Sequence, residues 1–179
     1  MATLPYATPT DDQISWRDSA RDSDLLPAHL VAFLQCGVSI TLGARGRNGR
    51  PVVGAGVACR VSGMANVRVL LSHRTDAAVI DAVEAGSPIA ATFSRARDHR
   101  SIQLKATRAV IRPTEPDDTS EAARQCALLA DDLVELGYAR GQADVYAFLG
   151  AEDLVSLEFR PERIFTQTPG PGAGAELPR

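Results

Sequence analysis

Residues 99 to 111, HRSIQLKATRAVI, place two kinds of side chain on the two faces of one strand. Ile102, Leu104 and Ala106 point one way, and Ser101, Gln103, Lys105 and Thr107 point the other. The first row belongs in a core. The second is a line of hydrogen-bond donors and acceptors, and Arg95, Arg97, His99 and Arg100 lead into it. More polar chemistry gathers at LLSHRTD, residues 70–76. A strand ends there, and Ser72, His73, Arg74 and Thr75 crowd the start of a helix. Free backbone N–H groups, hydroxyls and a guanidinium together suit a phosphate. Taken alone, the stretch reads more simply as an N-cap beside a surface arginine.

Other chemistries find little support. GARGRNG has glycines at 43, 46 and 49, but a dinucleotide fingerprint needs a different spacing and a following helix. These are turn glycines. Nothing resembles G-x-S-x-G, and the 3 histidines, His29, His73 and His99, assemble neither a Ser/His/Asp set nor a metal site. Cys36, Cys59 and Cys126 sit among apolar residues without Cys-x-x-Cys spacing, which points to packing in a reduced, cytoplasmic protein. A formal net charge of −3 gives no global case for nucleic-acid or membrane binding. No apolar run approaches the roughly 20 residues of a membrane span, and the N-terminus lacks the pattern of a signal peptide.

The elements that must position these groups can be read in order. At 179 residues, 45% hydrophobic and 23% charged, the chain is most simply one domain with a real core. Residues 1–26 read as an arm containing Trp16, 27–168 as the domain, and 169–179, rich in Gly and Pro, as a flexible tail. PAHLVAFLQC predicts a helix ending at Gly37. Two strand-like runs follow, joined by a loop whose Asn48-Gly49 is the strongest hairpin signal in the chain. In the second run Val53, Ala55, Val57, Cys59 and Val61 share a face, and Gly54, Gly56 and Ala58 invite close packing on the other. VRVLLS (67–72) is a third strand. Residues 75–86 form a helix with Thr75 as N-cap and Gly86 just past its end. PIAATFSRA and RSIQLKATRAVIRP are the fourth and fifth strands. Residues 119–136 form a long helix with acidic residues at its start, about 142–149 a short one, and LVSLEFRPERIFTQT returns to the sheet. Sequential strands with hairpin signals predict a mainly β fold, an antiparallel barrel with appended helices.

In this element order, in SHRTDA and in HRSIQLKA, the chain resembles the pyridoxamine 5′-phosphate oxidase-like family, the FMN-binding split β-barrels with Greek-key-like strand order. The resemblance covers about residues 27 to 168. It implies a homodimer with FMN in a groove between the subunits, and hydride exchange between flavin N5 and a small-molecule substrate. By the same resemblance Arg68, Ser72, Arg74 and Thr75 would hold the phosphate, and Arg100, Ser101 and Gln103, with Lys105 as a further candidate, would face the flavin or the partner subunit. Two departures stand out. The helix start DAAVIDA carries acidic Asp76 and Asp81 where family members usually carry a lysine or arginine. The ending FRPERIFTQTPG lacks the Trp and Arg pattern that grips pyridoxamine phosphate, so oxidation of that compound is not expected. The missing helix base leaves open a binding protein for haem or a deazaflavin, with Arg45, Arg47 and Arg50 available for an acidic tail, or a structural dimer with no cofactor.

Overall fold

A computed structural model describes residues 6–19, 26–63, 65–148 and 153–177. Strand alternation and turn glycines produce eight strands: β1 (Ser39–Arg45), β2 (Pro51–Ser62), β3 (Asn66–Ser72), β4 (Ile89–Ser94), β5 (Ser101–Ala106), β6 (Val110–Pro113), β7 (Leu154–Phe159) and β8 (Arg163–Thr166). The helices are α1 (Pro9–Ser19), α2 (Ala28–Leu34), α3 (Ala77–Glu84), α4 (Asp118–Glu135) and α5 (Arg140–Ala147). All strand pairs are antiparallel, in the order β6-β7-β3-β2-β1-β4-β5-β8.

The connections force this sheet to roll up. Laid flat, β5 and β6 would lie six strand spacings apart, roughly 29 Å. Yet only residues 107–109 join them, a reach of at most about 14 Å. β7 and β8 are equally distant in the order and are joined by residues 160–162 alone. Both links close only if the sheet curls until its ends approach. No ladder joins β6 to β8 among the described residues, so the barrel is split along that seam. Here the expected strands differ. RSIQLKATRAVIRP and LVSLEFRPERIFTQT each divide into two strands on opposite sides of the seam. One break lies where Thr107 donates its N–H and hydroxyl to Glu162, and the other contains Pro161.

Inward rows from most strands meet in one core that includes Ile40, Leu42, Val69, Leu71, Phe93, Ile102, Leu104, Leu157 and Ile164. Leu30, Phe33 and Leu34 of α2, Val79, Ile80 and Val83 of α3, and Trp16 of α1 join it. β2 changes face midway. A bulge between Gly56 and Ala58 shifts the register, so Gly54 and Gly56 face inward before it and Cys59 after it. Val53 and Ala55 are therefore exposed rather than part of a continuous apolar face, and Val53 is 70% exposed. The close packing expected at the glycines is present. A Cβ on Gly56 would stand 2.5 Å from Val69 Cγ1, and one on Gly54 2.7 Å from Asp76 Oδ1.

Past the bulge β2 runs beyond the reach of β1, and side-chain amides take over the partner's role. Gln125 of α4 accepts from the Cys59 N–H at 3.0 Å and donates to its carbonyl at 2.6 Å, while Gln35 accepts from the Val61 N–H. Helix α3 begins later than expected. Thr75 precedes it and donates its N–H to Ser72 Oγ, and Asp76 occupies the N-cap position without a side-chain cap bond. Gly86 (φ +85°) and Gly137 (φ +101°) end α3 and α4 as expected. The short helix read at about 142–149 starts at Arg140, and residue 149 lies outside the described set. Residues 1–5 and 20–25 of the expected arm also lie outside it. The Gly-Pro segment after 168, read as a flexible tail, folds back instead: Glu176 bridges Phe165 and Leu177 is buried.

Candidate functional face and flanking clefts

The strand register builds a broad outer face. One cross-strand row runs Val53–Gly43–Ala90–Lys105–Arg163, the next Ala55–Thr41–Thr92–Gln103–Phe165, and a third Ser39–Ser94–Ser101. The neighbouring outer face of β2 and β3 is covered by α4, whose Ala122 packs on Ala58 and Leu70. Over the middle of β1, β4 and β5 Thr41 is exposed and Gly43, Ala90, Thr92 and Gln103 stay half-buried. Gln103 donates one Nε2 hydrogen to Thr92 Oγ1 at 2.9 Å, which leaves its second hydrogen and its carbonyl oxygen for a ligand.

Two clefts flank this face. The first, about 620 Å³, is lined by Gly43, Arg45, Ser87, Lys105, Thr107 and Arg163 among others. The Lys105 ammonium lies 4.4 Å from the centroid of the Phe165 ring, and Arg163 pairs with Glu176 at 2.7 Å. The second, about 670 Å³, lies between the serine row and the α4–α5 pair.

The arginines before β5 are largely held internally. Arg95 pairs with Asp98, Arg97 with Asp132, and Arg100 with Asp12 at 2.8 Å while its guanidinium lies over Phe33. Asp12, which has no local sequence signal, is buried in α1 and also accepts from the hydroxyls of Thr166 and Thr168. The Ser101 hydroxyl has Ser94 Oγ and the His99 carbonyl as acceptors, and its N–H donates to Thr168. His99, at φ +60°, stacks on Tyr6.

The expected phosphate group divides in two. Arg68, 4% exposed, is surrounded by Asp118, Glu158 and Glu115 at 2.8–2.9 Å. Four residue steps of strand, roughly 13 Å, separate it from Ser72, and Leu70 between them lies under α4. Asp118 is pulled both ways. Burial raises its pKa, but the Glu115 N–H, Arg60 and Arg68 outweigh burial and hold the carboxyl below its ordinary value. At the other end of β3, Arg74 is exposed and makes no ion pair among the described residues. Thr75, next in the chain, is exposed too, whereas Ser72 is buried and its hydroxyl accepts from the Thr75 N–H.

Within one chain the two candidate groups stay apart. β3 and β5 are four strands apart in the sheet order, roughly 19 Å along it. Ser72, Arg74 and Thr75 thus form one cluster, and Ser101 and Gln103 another. The thiols are not reactive groups of either: burial pushes the Cys59 thiol well above its ordinary value and raises Cys36 and Cys126 as well.

No family model matches the chain, and no curated protein does. Solved structures do. The HupZ protein of Group A Streptococcus aligns with TM-score 0.51 at 15% identity, over 84% of this chain and 99% of that one. A candidate pyridoxamine 5′-phosphate oxidase from Lactobacillus delbrueckii aligns with TM-score 0.49 at 14% identity, covering 80% and 96%. A pyridoxamine 5′-phosphate oxidase-related, FMN-binding protein from Nostoc punctiforme aligns with TM-score 0.45 at 12% identity, covering 80% and 83%. At these identities the likeness is one of fold. An eight-stranded antiparallel sheet rolled and split at one seam, with helices appended, is the fold this chain shares with the HupZ protein.

Proposed function

We propose that this chain is an FMN-binding flavoprotein, a homodimer whose cofactor lies between the subunits, acting as an oxidoreductase on a small molecule. The observation that carries the reading is the uncovered face of β1, β4 and β5. It presents small and hydrogen-bonding side chains where a charged, solvated surface would be ordinary.

The donor set fits the cofactor in two pieces. Arg74 and the Thr75 hydroxyl, both exposed, would hold the phosphate as a charge-assisted site at the protein surface, while Ser72, expected in the same role, is buried beneath them and accepts the Thr75 N–H. Gln103 and Ser101 of the second subunit would meet the ring, which resolves the separation of the two clusters within one chain. Arg68 and Arg100 would act from behind, Arg68 holding α4 and Arg100 holding α1 through their carboxylate partners. FMN, when bound, supplies hydride exchange at N5. The protein's part is orientation: the remaining N–H of Gln103 donates to a ring acceptor, and the apolar packing beneath β5 keeps that side chain fixed.

A second reading, a deazaflavin-binding protein, is favoured by the bases at the first cleft, Arg45, Lys105 and Arg163, which could line the path of a longer acidic tail. Titrations of the purified protein with FMN and with the deazaflavin, followed by ligand fluorescence, separate the two. Saturable quenching by FMN at about micromolar concentration supports the first reading. Tighter binding of the deazaflavin, with FMN ignored, replaces it with the second.

A further inference from the structure

The second cleft has a composition of its own. Its floor is the serine row, in register across β1, β4 and β5. The Ser101 hydroxyl has two acceptors in reach, Ser94 Oγ at 2.9 Å and the His99 carbonyl at 3.1 Å; when it donates to Ser94, the Ser94 hydrogen is left to donate into the cleft. Ser39 makes no side-chain hydrogen bond among the described residues. The wall opposite is mainly apolar, with Leu133 of α4 and Leu136 just past its end, beside Gln142 of α5. At the rim Tyr138 and Tyr146 are 56% and 58% exposed, aromatic surface that a flat ring would cover. Charge is absent from the floor in effect, because Arg95 is held by Asp98 through two nitrogens.

We propose that this cleft binds a small, uncharged aromatic molecule with a hydrogen-bond acceptor at one edge, and that this molecule is the substrate. A volume of about 670 Å³ is the size of a small-molecule site. Hydroxyl donors on one side and leucines on the other would orient a ring with its acceptor edge toward the strands. With no free cation at the floor, a carboxylate or phosphate ligand would go uncompensated. The word substrate rests on the flavoprotein reading; binding does not.

Equilibrium dialysis of the full chain with 2-acetylnaphthalene and 2-ethylnaphthalene, with and without saturating FMN, tests both parts. The two probes differ in the acceptor oxygen. Wild-type protein should bind the ketone at one site, about three- to tenfold more tightly than the hydrocarbon, as one neutral hydrogen bond predicts. Ser94→Ala should erase that preference. Tyr146→Ala, at an exposed position, should weaken both probes while the circular dichroism spectrum is unchanged. Equal binding of the two probes, a preference that survives Ser94→Ala, or no binding of either would overturn the proposal. Displacement of the ketone by FMN would show the cleft to be the flavin's own place and overturn the substrate assignment. Because the first arm contains no FMN, a protein that ignores FMN but shows the Ser94-dependent preference would keep the site and lose only the flavoprotein reading.

Discussion

Arg68 and Arg74 lie six residues apart, and the fold uses them in opposite ways. Arg68 points under α4 and is surrounded by carboxylates; Arg74 is exposed at the turn before α3, next to the exposed Thr75. Only the second can take a phosphate without stranding a buried acid. Arg74→Ala is therefore expected to weaken FMN at least about tenfold, the loss of one charge-assisted contact of roughly 1.5 to 3 kcal/mol, while leaving riboflavin binding unchanged. Parallel titrations with the two flavins check this, and equal losses for both would remove Arg74 from the phosphate. The types and spacing of these residues were legible in the sequence. Their division was not, because it depends on Asp118, Glu158 and Asp12, which are 50, 90 and 88 positions from the arginines they bind. No local pattern encodes such partners.

Helix α4 shows what those buried pairs do for an element. Its amphipathic stripe covers β2 and β3, its Gln125 completes the hydrogen bonding of Cys59, and its Asp118 anchors its first turn to Arg60 and Arg68. Because the Asp118 carboxyl is held below its ordinary pKa of 3.8, its stabilising effect is complete above that value and is lost as pH falls through the lower folded-state value. Asp118→Asn should cost about 3 kcal/mol at pH 7, and the gap from wild type should shrink as the pH falls below 3.8. Urea unfolding at the two pH values measures it; a gap independent of pH would contradict the assignment. The glycines of β1 and β2 offer a paired test in thermal melts. Gly56→Ala drives a Cβ into Val69 and Ile40 and should cost about 1 to 3 kcal/mol. Gly43→Ala, whose new atom would meet nothing closer than 4.0 Å, should melt like wild type. Alternation and turn residues made β1 to β5 and α4 readable from sequence. The bulge in β2 and the two broken strands were not, since both arise from what lies across the sheet rather than along the chain.

The whole molecule is a barrel whose two short crossings, 107–109 and 160–162, hold its ends together, with an outer face over β1, β4 and β5 left bare. A second copy seated on that face would bring the Ser72–Arg74–Thr75 cluster of one subunit to the Gln103 side of the other. Light scattering should then return twice the 19.0 kDa chain mass. Thr41→Arg, at the exposed centre of the face, should give the single-chain mass and lose FMN together. A folded monomer that still binds FMN would separate cofactor from assembly. The barrel itself was legible from the hairpin signals and strand count, whereas its seam required the pairing of β6 with β7 and β8 with β5. The central claim, that a flavin occupies this face, is tested most directly by the absorption spectrum of the purified protein after incubation with FMN and removal of free ligand. The account predicts retained bands near about 370 and 450 nm, with one FMN per chain, as a bound flavin chromophore gives. A colourless protein would contradict it.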